Sequence, residues 1–211
     1  MPLFIKNEKQ LLFVHIPKCG GTSVENSLVS FGWRQEFFIG DIKKSKLSSI
    51  KVPPQHFHST IIREIFDENE IDYILTLVRH PFDRIKSEYF WRRERKETFD
   101  PPNVWLDKVF NAYIKSNDCF DNHIRPQHHF LTAAHHLRVF KLENDGVKSL
   151  LSVLDGAHPT IWNRFRYALS NLSSAKNKSP RPKHIEDDFL QLKPVIDDFY
   201  ADDYSLLGYE R

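Results

Sequence analysis

The stretch FVHIPKCGGTSVENSL, from Phe13 to Leu28, decides the fold of this chain. An apolar run ends at a proline, a lysine and two glycines, and two hydroxyl residues then open a segment whose apolar positions recur at helical spacing. A buried strand that turns directly into a helix is the building unit of an α/β layered domain. Because its backbone N–H groups and helix N-terminus point to one place, such a unit favours binding of a phosphate group.

Further strands and helices are predicted along the rest of the chain. Apolar runs without clear alternation are typical of strands buried on both faces of a parallel sheet, and they occur at Leu11–Ile16, Tyr73–Val78 and Leu137–Leu142. Helical patterns follow these runs, and a C-terminal helix from Ile185 to Tyr200 is predicted to break near Pro194. We therefore expect a single α/β domain over residues 1–211, with a central parallel β-sheet flanked by helices.

The composition limits the classes of function. With 211 residues, of which 40% are hydrophobic, the chain is long enough to bury a sizeable core. A net charge of +2 is too small to favour nucleic acid as a partner. Cys19 and Cys119 do not make a disulfide framework, which favours a reducing compartment. The residues before Leu11 form neither a signal peptide nor a membrane span, so we expect a cytoplasmic protein without stable membrane insertion.

The loop after the first predicted strand has the side chains that an anion site needs. Lys18 adds a mobile positive charge, while Gly20 and Gly21 let the backbone approach a ligand closely. Thr22 and Ser23 can donate hydrogen bonds to phosphate oxygens. The alternative is a tight strand-to-helix turn in which a Ser or Thr side chain caps the helix.

Two departures from the nucleoside triphosphatase pattern disfavour a metal-dependent kinase. The motif G-x-x-x-x-G-K-[ST] is absent, because Lys18 precedes the glycines. The second strand ends at Arg79, where many phosphoryl-transfer enzymes place an Asp that binds magnesium. A site that holds phosphates with Lys and Arg suits transfer of a group that carries less charge than a phosphoryl group.

Both segments resemble those of sulfotransferases that use 3′-phosphoadenosine 5′-phosphosulfate (PAPS). IPKCGGTS, residues 16–23, is similar to their 5′-phosphosulfate loop, and LVRHPFDRIKSEY, residues 77–89, looks like their 3′-phosphate motif. The resemblance implies a P-loop-like sulfotransferase fold, PAPS as donor, 3′-phosphoadenosine 5′-phosphate (PAP) as product and no required metal. It implies these donor-binding residues: Pro17, Lys18, Cys19, Gly20, Gly21, Thr22, Ser23, Arg79 and Ser87.

Weaker similarities point to the carbohydrate-type branch of these enzymes. QHFHST, residues 55–60, is similar to the branch's H-x-H segment, and NHIRPQHHFL, residues 122–131, resembles its acceptor side. The implied partner is a hydroxyl-bearing small molecule or glycan, with acceptor-side residues His123 and Gln127, although helix capping or surface polarity would explain both equally well. KNKSPRP, residues 176–182, is similar to a late donor loop, which implies that Asn177, Ser179 and Arg181 close over the nucleotide; a flexible surface loop has the same composition.

The resemblance and the residue types together predict the catalytic roles. Lys18 is expected to stabilise the leaving phosphate as its charge develops. A neutral His is the side chain best matched to take the acceptor's proton, and we expect His58 in that role, with His56 second. The alternatives are polar loop histidines and, for Arg79, a salt bridge with Asp83. Two other functions remain open: a P-loop-like kinase of a nucleotide or small metabolite, and a noncatalytic sensor that binds PAP.

Overall fold

A mixed five-stranded β-sheet forms the centre of the computed structural model, which describes residues 3–38, 50–154 and 181–211. Its strands run in the order β3-β1-β2-β4-β5. They are β1 (Leu3–Lys6), β2 (Lys9–Val14), β3 (Arg34–Glu36), β4 (Tyr73–Val78) and β5 (Leu137–Lys141). The pairs β2–β4 and β4–β5 are parallel, so the predicted parallel centre of an α/β sheet is confirmed.

The sheet also has an antiparallel edge that the sequence did not reveal. Strand β1 pairs antiparallel with β2 and with β3. The turn between β1 and β2 places Asn7 at φ 48° and Glu8 at φ 64°. Two successive positive φ values are the geometry of the tight turns that suit the twist of a hairpin.

Helices cover the sheet and extend beyond it. They are α1 (Gly21–Ser30), α2 (Ser59–Ile65), α3 (Pro81–Glu94), α4 (Pro102–Lys115), α5 (Gly146–Leu154), α6 (Lys183–Gln191), α7 (Lys193–Phe199) and α8 (Ala201–Leu207). The predicted break in the C-terminal helix is confirmed, because α6 ends before Leu192 and Pro194 lies in the first turn of α7. A proline is tolerated there because the first-turn N–H groups have no partner within the helix.

Two apolar clusters fix the helix that borders the candidate site. One cluster joins the strands to α1 and α5, and the other joins α3 and α4 to the C-terminal helices. Helix α3 gives Phe82, Ile85 and Tyr89 to the second cluster. Since a helix turns by about 100° per residue, Arg84 and Trp91 lie on its opposite face.

The parallel pairing of β2 with β4 brings two loops together. Val14 lies opposite Thr76, and the Thr76 hydroxyl donates to the Val14 carbonyl at 2.8 Å. Both strands therefore end at the same edge of the sheet. Ligands of open α/β sheets bind outside this carboxyl edge.

Candidate active site

The loop after β2 turns sharply through two left-handed residues. Lys18 has φ 67° and Gly20, at the N-cap of α1, has φ 86°. A side chain at Gly21 would overlap the imidazole ring of His15, so only glycine fits this position without a shift. These restraints hold the backbone close to the N-terminus of α1.

The hydroxyls at the start of α1 are available to a ligand. The Gly20 N-cap makes no side-chain hydrogen bond, so α1 is not capped by Thr22 or Ser23. Thr22 is exposed and Ser23 is half-buried. Within the described ranges, neither hydroxyl has a hydrogen-bond partner. The alternative interpretation, a turn closed by a capping hydroxyl, is not what the structure shows.

The Lys18 amine lies over an aromatic ring and not against a carboxylate. Its Nζ is 4.6 Å from the centre of the Trp91 ring. Burial lowers the pKa of Lys18 to about 8, and Arg79 and Arg92 lower it further, while Glu88 opposes the shift. Lys18 forms no ion pair within the described ranges, and a cation held over an aromatic face in this way can bind an anion.

Arg79 extends from the end of β4 to the same loop. Its Nη1 donates to the Lys18 carbonyl at 3.2 Å. Arg79 does not form the alternative ion pair with Asp83. The Asp83 carboxylate instead lies 3.4 Å from the amine of Lys86. Ser87 is half-buried one and a half turns into α3. The sequence-predicted 5′ and 3′ phosphate residues therefore adjoin at one edge of the sheet.

Gln127 links the loop after β2 to Arg79 at the end of β4, and 0% of its surface is exposed. Its Oε1 accepts from the Arg79 N–H at 2.9 Å and from the Cys19 thiol at 3.2 Å, and its Nε2 donates to the Arg79 carbonyl at 2.7 Å. Burial raises the pKa of Cys19 to about 12, so this thiol stays protonated as a donor. A carboxylate of α8, on Asp203, accepts from the Gln127 N–H at 2.8 Å. The structure thus gives Gln127 a positioning contact with Arg79 where the resemblance implied an acceptor-side surface.

Three histidine rings form a cluster beside Trp91. The His56 ring lies edge-to-face with His123 at 4.8 Å and with His15 at 5.2 Å between centres. His123 in turn stacks on Trp91 at 5.4 Å. A continuous series of ring contacts thus runs from His56 to the Trp91 ring that carries the Lys18 amine.

A left-handed turn holds His56 in one tautomer. Phe120, Asp121 and Asn122 have φ values of 52°, 54° and 63°. The His56 Nδ1 donates to the Asp121 carbonyl at 3.1 Å, and the Asn122 amide donates to the His56 carbonyl at 2.9 Å. Because a carbonyl only accepts, Nδ1 carries the proton and Nε2 is left as the basic nitrogen. Burial, together with the neighbouring His123, lowers the pKa of His56 well below its usual value, so the ring is neutral near pH 7.

His58 lies in a different environment. It precedes α2 at the N-cap and is half-buried. Burial and the charge of Arg125 lower its pKa, and its ring influences His129 rather than the three-histidine cluster. Of the two histidines proposed as a base, the structure brings His56 into the ring series that reaches Lys18.

Carboxylates fix the other two histidines of the cluster. Glu25 accepts from His15 Nδ1 at 2.5 Å, and Glu88 accepts from His123 Nδ1 at 2.7 Å. Burial acts against ionisation of Glu88, but His123 and Arg92 overcome it and lower the pKa of Glu88 to about 2. Glu88 is therefore an anion that orients His123.

Sequence reasoning missed the inner face of α3. Arg84, Glu88 and Trp91 follow one another at i, i+4 and i+7 and contact Pro17, His123 and Lys18 respectively. Arg84 and Glu88 lie within the 3′-phosphate motif and Trp91 lies just beyond it, so their shared helical spacing is the signal that identifies them. In the predicted late donor loop, Arg181 is exposed beside the Phe90 ring at 5.6 Å, and Asn177 and Ser179 lie outside the described residues.

The architecture belongs to the class of α/β proteins in which a strand, a glycine-bearing loop and a helix form an anion site. A family model described as "Sulfotransferase family" matches residues 1–210, and the chain belongs to this family. Neither the curated proteins nor the solved structures gave a match. Among the helices of the described ranges, none has the length and apolar character to cross a membrane.

Proposed function

We propose that this chain transfers a sulfuryl group from PAPS to a hydroxyl group of a carbohydrate. The observation that carries the proposal is the meeting of the two phosphate motifs, in which Arg79 Nη1 donates to the Lys18 carbonyl at 3.2 Å. Membership of the sulfotransferase family supports sulfuryl transfer in general. The identity of the donor and the acceptor is our inference from the motifs and their geometry.

The donor side would bind the two phosphate groups through different residues. The N–H groups from Gly20 to Thr22, with the hydroxyls of Thr22 and Ser23, would hold the 5′-phosphate. Arg79 would pair with the 3′-phosphate, because its planar guanidinium can bond two oxygens, and Ser87 would donate to the same group. Gln127 would act on this side as well, by fixing the backbone of Arg79.

The acceptor side would supply the base. As the acceptor oxygen bonds to sulfur, the bond between sulfur and the bridging phosphate oxygen breaks, and the hydroxyl proton passes to His56 Nε2. Lys18 would stabilise the negative charge left on the 5′-phosphate. We propose His56 before His58 because of its fixed tautomer and its place in the ring series, and His123 as the ring that holds His56 on the acceptor side.

Calorimetric titration in EDTA tests the donor assignment. We expect PAP to bind the purified protein without metal and more tightly than adenosine 5′-phosphate, since only PAP offers a 3′-phosphate. Arg79→Ala should weaken PAP and leave adenosine 5′-phosphate nearly unaffected. Tighter binding of ATP with magnesium would overturn the proposal in favour of a kinase.

A transfer assay then separates an enzyme from a sensor. Labelled PAPS is incubated with a panel of oligosaccharides, and sulfated products are detected by mass. A protein that binds PAP, sulfates nothing and is unaffected by His56→Ala or His58→Ala would be a nucleotide sensor.

A further inference from the structure

A buried guanidinium, for which the described residues offer no carboxylate partner, lies beneath the loop that follows β2. Arg84 is 1% exposed. Its Nε donates to the Pro17 carbonyl at 3.0 Å, and its Nη2 donates to the His123 carbonyl at 2.8 Å. In the described part of the chain, no Asp or Glu side chain forms an ion pair with it. Both of its partners are neutral carbonyl groups.

The buried acids of the surrounding elements are already engaged. Glu88, one turn further along α3, binds Arg92 at 2.5 Å and His123 at 2.7 Å. Asp203, on α8, accepts hydrogen bonds from two backbone N–H groups and from the ring of His128. The other face of the guanidinium meets the Tyr200 ring, 5.9 Å away. Neither of these two acids forms an ion pair with Arg84.

A buried charge without an opposite charge costs free energy, and proteins pair such charges or use them. Here the guanidinium holds the Pro17 carbonyl in the loop that carries Lys18, and the next carbonyl of this loop, that of Lys18, accepts from Arg79. Lys18 and Arg79 are the proposed phosphate ligands. A positive charge in a region of low dielectric acts strongly on an anion that binds nearby. The missing negative charge is thus best supplied by a ligand at this loop.

We propose that Arg84 is part of the donor site, as a positioning residue whose buried charge is neutralised by the phosphates of the donor. Its hydrogen bonds fix the loop on one side and the His123 segment on the other, so that it links the donor-binding and acceptor-binding parts of the site. This inference rests on the proposed function, because it requires an anionic donor at the loop.

Calorimetry with PAP on four proteins tests this role. Arg84→Gln keeps a hydrogen-bond donor and removes the charge, whereas Arg84→Lys keeps the charge. Lys86→Gln is the matched control, because it removes a positive charge from the same helix where two carboxylates pair with it. We expect Arg84→Gln to raise the Kd of PAP by about tenfold or more, Arg84→Lys to change it by about threefold or less, and Lys86→Gln to change it by less than about twofold.

The outcomes separate this inference from the proposed function. If the wild-type protein does not bind PAP, both the proposed function and the proposed role of Arg84 are overturned. If the wild type binds PAP and Arg84→Gln binds equally well, only the role of Arg84 is overturned. A loss of tenfold or more with Arg84→Lys also overturns it, because the charge would then not be what matters. Should Arg84→Gln fail to fold, Arg84→Met replaces it as the uncharged variant, with the same expected loss.

Discussion

Donor affinity is expected to depend on pH through Lys18. Burial lowers the pKa of this amine to about 8 from a usual value of 10.5. The protonated fraction therefore falls from about nine tenths at pH 7 to about one tenth at pH 9. If the phosphates bind only the cation, the affinity for PAP should fall by about tenfold over this range.

Proton uptake gives an independent measure of the same effect. At pH 8 about half of the free Lys18 side chains are neutral, so binding of PAP should take up about half a proton per site. Calorimetry in two buffers with different ionisation enthalpies measures this number directly. Lys18→Arg is the control, because its guanidinium stays charged at pH 9, and the uptake attributed to Lys18 should vanish in it.

In the ligand-free protein, Lys18 makes the stability of the fold depend on pH. Since the pKa of Lys18 is lower in the folded state than in the unfolded state, the unfolded chain binds more protons between pH 8 and 10.5, and the contribution of Lys18 to stability rises with pH over that window. Wild-type protein that binds PAP with no proton uptake beyond that of Lys18→Arg, and with an affinity that stays flat from pH 7 to 9, would refute the assignment of Lys18 as the cation of the donor site.

Three further predictions concern the base, the close contact at Gly21 and the left-handed turn at residues 120–122. His56→Ala should lower kcat by about 10² to 10⁴ with little change in the Kd of PAP, while His58→Ala keeps most of the activity; the reverse pattern in steady-state assays would assign the base to His58. Gly21→Ala should lower the free energy of unfolding by about 1–3 kcal/mol in urea titration, because its methyl group overlaps an imidazole ring, and an unchanged midpoint would contradict that packing. Asp121→Gly should raise the free energy of unfolding by up to about 1 kcal/mol, because glycine adopts a positive φ without steric cost. Asn122→Gly also loses the hydrogen bond to the His56 carbonyl, so it should show no such gain and should lower kcat. Equal gains in both variants would show that this hydrogen bond is unimportant.

The parallel centre of the fold could be predicted because its strands are encoded locally. Strands β2, β4 and β5 each contain a short run that is mostly apolar, and each is followed by a helical pattern. Strands β1 and β3 have only four and three residues, too few to establish an alternation. The pairing of β1 with β2 depends on a turn at Asn7 and Glu8, which lacks the glycine that marks most such turns.

The candidate site likewise contains residues that could be predicted from the sequence and contacts that could not. Lys18 and Arg79 could be found because each belongs to a contiguous motif at a strand end. The contact between Gln127 and Asp203 could not, because its partners are 76 residues apart and only the packing of α8 brings them together. Nor does sequence spacing distinguish His56 from His58, since the left-handed turn that fixes the first ring lies about 65 residues downstream.

Lys18 combines a strained backbone conformation with the side chain proposed to act on the donor phosphate. Gly20, Gly32 and Gly208 adopt positive φ without cost, yet Lys18 does so as a lysine, at φ 67°. A left-handed conformation costs a residue with a side chain about 1–2 kcal/mol, and glycine at this turn would avoid that cost. Glycine, however, would not supply the amine that lies over Trp91. The loop turns at the same residue that carries the cation. A lysine at this position therefore supplies the positive charge at a cost in stability, as expected where function and stability compete.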